Sequence, residues 1–152
     1  NNRLFVSSTF GVFSINFSGI ASDYIFERHN VDLDESWSFF HHKDQLYITS
    51  STGLYKIEGN EEIRLTDKYC FMALSPGDST DIVLLASDDG LNVVRLDPAG
   101  NRVIQSIKVA GITGEIRNIT ELAKGDFWLE ISPHTLARVR FTNGYFEKQE
   151  VF

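Results

Sequence analysis

The chain has 152 residues, 42% hydrophobic and 23% charged, the balance of an ordinary globular protein with enough apolar material for a core. Its net charge of −7, with no cluster of lysines or arginines, excludes the basic surface that nucleic-acid binding requires. No apolar run reaches the roughly 18 residues of a membrane-spanning helix, and the single cysteine allows neither an internal disulfide nor a cysteine-based metal site.

The chain opens on a β-hairpin. In LFVSSTFGVFSI, residues 4–15, β-branched and aromatic residues alternate around a turn closed by Gly11. A strand is predicted over residues 23–29, followed by an acidic linker at 30–35 and a strand over 36–41 that ends in a Lys43-Asp44 turn. LYITSSTGLYKI, residues 46–57, repeats the hairpin with Gly53 in the place of Gly11, and Gly59-Asn60 turns the chain into a strand over 61–65. The same order returns with a strand at 69–74, a Ser-Pro-Gly-Asp turn at 75–78, and a hairpin over 82–96 with Gly90. An Asp-Pro-Ala-Gly turn at 97–100 then leads into a strand over 103–109. The last unit runs through strands at 115–122, 127–131, 136–141 and 145–152, with His134 and Thr135 standing where the hairpin glycine would be. No helix is predicted.

The hairpins recur. Taking the second residue of each as a marker gives Phe5, Tyr47, Leu84 and Trp128, separated by 42, 37 and 44 residues. A period of roughly 40 residues with about four strands per unit is the mark of a β-propeller blade. The fold class is therefore all-β: a propeller of four blades of four-stranded antiparallel sheet, forming a single segment over residues 1–152. The blades fall at about 1–29, 36–66, 69–109 and 115–152. The first lacks an inner strand, so the segment is expected to be part of a larger propeller; a closed four-bladed ring is the alternative. Phe5, Tyr47, Leu84 and Trp128 should each face a neighbouring sheet, and the last blade should expose Tyr145, Phe146, Val151 or Phe152. An arc of this kind should be covered by the remaining blades of the parent chain or pair with a second copy as a homodimer.

Residues that could carry chemistry are few. His41 and His42 are adjacent on a strand and point to opposite faces, so they cannot both ligate one metal with His29. Asp88-Asp89-Gly90 reads as a turn and not as a calcium loop. Asp32 and Asp34 alternate without the third ligand or the glycine such a loop needs. No serine sits in a nucleophile motif. Cys70 lies in an apolar run and reads as a buried, inert thiol. No catalytic residue, metal or cofactor is expected.

A surface is easier to place. In a propeller, the loops entering each inner strand share one face with the turns of the central hairpins. That face gathers Asp34, Glu35, Trp37, Ser51, Asp67, Tyr69, Asp88, Asp89 and His134 as candidate ligand-binding residues. Aromatic faces beside carboxylates and hydroxyls suit a saccharide; inter-blade packing is the competing role for Trp37 and Tyr69.

The stretch from Tyr47 through Gly53 to Ile57 resembles the second half of the repeated unit of the regulator propellers. These are the extracytoplasmic sensor domains of two-component regulators and hybrid histidine kinases. Lys124-Gly125-Asp126-Phe127-Trp128-Leu129 resembles the first half of that unit. The resemblance implies a periplasmic or extracellular segment of a membrane-anchored sensor. Such a segment binds a saccharide or another small molecule and passes the signal to a cytoplasmic output domain, with any kinase activity lying outside this segment. Two alternatives stand beside it: a propeller enzyme acting on polysaccharides, a lyase or a hydrolase, and a protein-interaction scaffold.

Overall fold

The computed structural model describes residues 3–16, 26–29, 35–77, 81–142 and 145–152. Among these residues there are fifteen strands and no helix. The first sheet holds β1 (Arg3–Ser8), β2 (Gly11–Asn16) and β3 (Phe26–Arg28). The second holds β4 (Ser36–His42), β5 (Gln45–Ser50), β6 (Gly53–Glu58) and β7 (Glu61–Thr66). The third holds β8 (Cys70–Leu74), β9 (Ile82–Ser87), β10 (Leu91–Leu96) and β11 (Val103–Lys108). The fourth holds β12 (Ile116–Ala123), β13 (Asp126–Ile131), β14 (Thr135–Thr142) and β15 (Tyr145–Val151). Strands pair in chain order within every sheet, giving one three-stranded and three four-stranded antiparallel meanders. This is the propeller arrangement expected from the repeat, with the first sheet lacking an inner strand among the described residues.

The sheets stack face to face because their central strands are apolar on both sides. On β5, Tyr47 and Ile48 point to opposite faces, and both are wholly buried. Ile48 packs with Val12, Tyr55 and Ile57 against Phe5 of the first sheet. Tyr47 packs with Leu54, Cys70, Val83 and Leu85 between the second and third sheets. Leu84, Ala86 and Leu91 join Ile116, Phe127 and Val139 in the largest core, between the third and fourth. The inner strands β4, β8 and β12 are brought side by side as a result.

Phe5, Tyr47 and Leu84 each occupy the third position of their strand and each face the following sheet. Trp128 holds the same position on β13, but no following sheet lies among the described residues. It is half-buried and stacks on Phe152, with ring centroids 5.6 Å apart. Tyr145, Val151 and Phe152 are exposed as anticipated. Phe146 is not. Its ring turns inward to Phe141 at 4.6 Å and Phe127 at 5.7 Å, filling the edge of the core between the last two sheets. On the first sheet Leu4, Val6 and Phe26 are exposed.

The central hairpins share a polar lock. A serine ends the first strand of three of them, and its hydroxyl donates back to the carbonyl of the turn glycine. The pairs are Ser8 to Gly11 (3.2 Å), Ser50 to Gly53 (3.1 Å) and Ser87 to Gly90 (2.7 Å). At Gly53 the backbone sits at φ +144°, and a Cβ there would lie 1.9 Å from the Thr66 carbonyl oxygen. No rotamer change relieves a clash with main chain. Gly53→Ala should therefore cost about 2–3 kcal/mol or more in urea unfolding, combining left-handed strain with displacement of β7. Gly59→Ala, at φ +66° with nothing within 4 Å of the added carbon, should cost about 1 kcal/mol. Equal losses at the two positions would contradict the close approach.

Candidate functional site

Each inner strand of the second, third and fourth sheets carries an extra, unpaired residue at its start, and β12 has a second one at Leu122. On β4, Ser36 and Ser38 oppose Ser50 and Thr49, leaving Trp37 without a cross-strand partner. On β8, Cys70 and Met72 oppose Ser87 and Ala86, leaving Phe71. On β12, Ile116 and Asn118 oppose Ile131 and Glu130, leaving Arg117. These are β-bulges at the second position of each inner strand, and a bulge re-aims the side chain it frees. The preceding residue is buried in all three cases, namely Ser36, Cys70 and Ile116.

The three freed side chains line one cavity of about 650 Å³, together with Tyr69. The Trp37 ring lies 5.7 Å from Phe71 and 6.2 Å from Tyr69, and Tyr69 lies 4.7 Å from Phe71, all tilted. The Arg117 guanidinium sits 5.7 Å from the Phe71 ring centroid and is bonded to the Glu115 carboxylate. Asp88, from the turn between β9 and β10, completes one side, with Asn118 on the fourth sheet. Despite its ring contacts Trp37 remains 41% exposed, so packing and an open aromatic face coexist in one side chain. Burial raises the Tyr69 phenol above its ordinary range, and Glu35, Glu115 and Asp88 push it further in that direction against Arg117. The cavity is thus aromatic and carries a negative field.

Of the residues singled out in the sequence, Trp37, Tyr69 and Asp88 meet in this cavity, and Glu35 acts on it through Tyr69. The Glu35 carbonyl accepts a hydrogen bond from the Ser51 amide at 3.0 Å, which places Ser51 in the supporting turn. Asp89 is engaged elsewhere. It accepts from the Ser87 hydroxyl at 2.6 Å and lies 3.2 Å from the Lys108 ammonium and 4.0 Å from that of Lys68. The Ser87 bond, with both lysines, holds its carboxyl below the usual range. Asp67 is exposed just after β7, and His134 is exposed in the turn before β14. Asp34 lies outside the described residues. Phe71, Glu115, Arg117 and Asn118 were not anticipated; the available signal was their shared place at the start of an inner strand.

The remaining reactive groups, His41 apart, are built into the packing. His41 is exposed, while His42 is buried and bonds Ser75 through its Nδ1. His29 is buried between the first two sheets, its Nε2 2.9 Å from Ser14 Oγ and its Nδ1 3.1 Å from Glu62 Oε1. Burial chiefly lowers the His29 pKa and raises that of Glu62, so both are driven towards their neutral forms. Cys70 is fully buried, and burial pushes its thiol up and away from reactivity.

No family model and no curated protein matches the chain. Solved structures do. The WD40 β-propeller domain of Doa1 superposes with a TM-score of 0.66 at 10% identity, covering 95% of this chain and 48% of that one. The N-terminal domain of Nup159 gives 0.58 at 13% identity, covering 97% of this chain and 40% of the other. A structure of S. cerevisiae Dbp5 bound to Nup159, Gle1, IP6 and ADP gives 0.59 at 13% identity, covering 99% and 40%. At these identities the likeness is one of fold: the chain is similar to β-propellers and spans less than half the length of these three chains.

The carboxylates around Tyr69 generate a pH prediction. Removing a negative charge makes the phenolate easier to form, so Glu35→Gln and Asp88→Asn should each lower the Tyr69 pKa, Glu35→Gln by more. Arg117→Gln should raise it. NMR titration of ring-labelled tyrosine reads all three; a Tyr69 resonance insensitive to these changes would place the carboxylates too far away to matter.

Proposed function

We propose that the chain is a non-enzymatic propeller segment that binds a protein partner at the cavity formed by its inner strands. The observation that carries this reading is the triple bulge, which delivers Trp37, Phe71 and Arg117 to one cavity from three successive sheets. A purely structural inner strand would bury these side chains or pair them; here Trp37 and Arg117 stay substantially exposed. Large, partly exposed aromatic residues and arginine are the side chains that dominate protein interfaces. Among structures of similar fold, one is a complex of Dbp5 with Nup159 and Gle1. We further propose that additional blades, or a second copy of the chain, cover the outer faces bearing Leu4 and Val6 at one end and Trp128 and Leu136 at the other.

A second reading follows from the exposure of Trp37. A flat indole near Tyr69, with Asp88 and Asn118 lining the same cavity, also suits a saccharide. That reading makes the segment the ligand-binding part of an extracytoplasmic sensor in a two-component regulator.

A photo-cross-linking residue placed at Asn118, on the cavity, separates partner binding from a merely structural role. The control is the same residue at Gln105, exposed on the outer strand β11. Position 118 should give discrete protein adducts in cells where position 105 gives none. Identical adduct patterns at both positions, or none at either, would remove the case for a protein partner at the cavity.

A further inference from the structure

Trp37, Phe71 and Arg117 form a ladder across three adjacent inner strands: an indole, a phenyl ring, then a guanidinium seated over that ring. The last rung already shows a cation held by this wall. Arg117 lies over Phe71 and is neutralised by Glu115. At the other end, Trp37 keeps its exposed surface, and Asp88, which lines the same cavity, forms no ion pair among the described residues. An open aromatic ring and an unpaired carboxylate in one cavity lack a cation. The chain's net charge of −7 favours the approach of a basic partner in general.

We propose that the cavity receives the guanidinium of an arginine side chain from a protein partner, stacked on Trp37 and paired with Asp88. A guanidinium is flat, weakly hydrated and permanently charged, so one group satisfies the ring and the carboxylate together. A lysine ammonium would pair with the acid but stack poorly, and a neutral sugar would stack while leaving the carboxylate without a counter-charge. The proposal rests on the cavity being a protein-binding site and names the chemistry of what enters it.

Calorimetric titration of the intact protein tests it, with acetyl-Gly-Arg-Gly-amide as the probe. The isosteric citrulline peptide, the lysine peptide and the neutral trisaccharide cellotriose serve as comparisons. The arginine peptide should bind saturably, and citrulline should bind about tenfold or more weakly, since it keeps the shape and loses the charge. Asp88→Asn, a change in an exposed turn, should weaken the arginine peptide by about the same factor with the thermal melt unchanged, and added salt should weaken it further. Trp37→Ala should abolish binding. Citrulline binding as well as arginine, indifference to Asp88→Asn, cellotriose as the tighter ligand, or no saturable arginine binding would each overturn the proposal. If the cross-links from position 118 persist while the arginine probe fails, the cationic assignment falls and the partner-binding site survives.

Discussion

Everything in this molecule depends on sheets that are buried on both faces. A strand such as β5, with Tyr47 on one side and Ile48 on the other, has no face to offer water. Its sheet is stable only between two others. That requirement stacks the sheets in chain order and turns the inner strands towards a common line. It also explains why the polar chemistry collects where strands end or bulge. Elsewhere along the central strands most side chains are committed to one of three cores.

The apolar stacking is non-directional, and polar ties fix how one sheet sits on the next. Lys56 is buried on β6, and its ammonium donates to the Ala99 carbonyl at 3.1 Å and to Asn101 Oδ1 at 2.5 Å, both in the turn of the third sheet. A buried ammonium is costly unless its donors are met, so the two sheets cannot slide without stranding it. The Tyr47 hydroxyl reaches the Gly100 carbonyl in the same turn at 3.3 Å. Burial, with Asp97 nearby, pushes that phenol up to about 12, which keeps it a donor. Between the first and second sheets, His29 joins Ser14 and Glu62 in a buried group in which the imidazole and the carboxyl both tend towards neutrality.

The hairpins were legible because their cause is local. Alternating β-branched and aromatic residues closed by Gly11, Gly53 or Gly90 define each one, and the repeat of that pattern implies the propeller. Apart from the strand predicted over 23–29, whose first three residues lie outside the described ones, the strand boundaries fell within a residue or two of those observed for the same reason. Trp128 illustrates a different limit: its register was readable, but whether a neighbour exists to receive it is not a property of the repeat. Phe146 was misplaced because a strand near the rim has two faces, and only the packing of Phe141 and Phe127 decides which one its rings take. The cavity was half legible. Trp37, Tyr69 and Asp88 follow from the geometry of propeller loops, whereas Phe71 and Arg117 sit on bulges, where two-residue alternation fails by one step. A bulge leaves no mark in composition, so nothing in the sequence singled out Phe71 or Arg117.

Those bulges have an evolutionary consequence. A side chain without a cross-strand partner is released from the covariation that binds its neighbours, so it can be exchanged while the ladder around it stays as it was. The three equivalent positions already hold an indole, a phenyl ring and a guanidinium on nearly the same backbone. Single substitutions at these few sites can therefore change the chemistry of the cavity wall and leave the backbone ladder beneath it as it was.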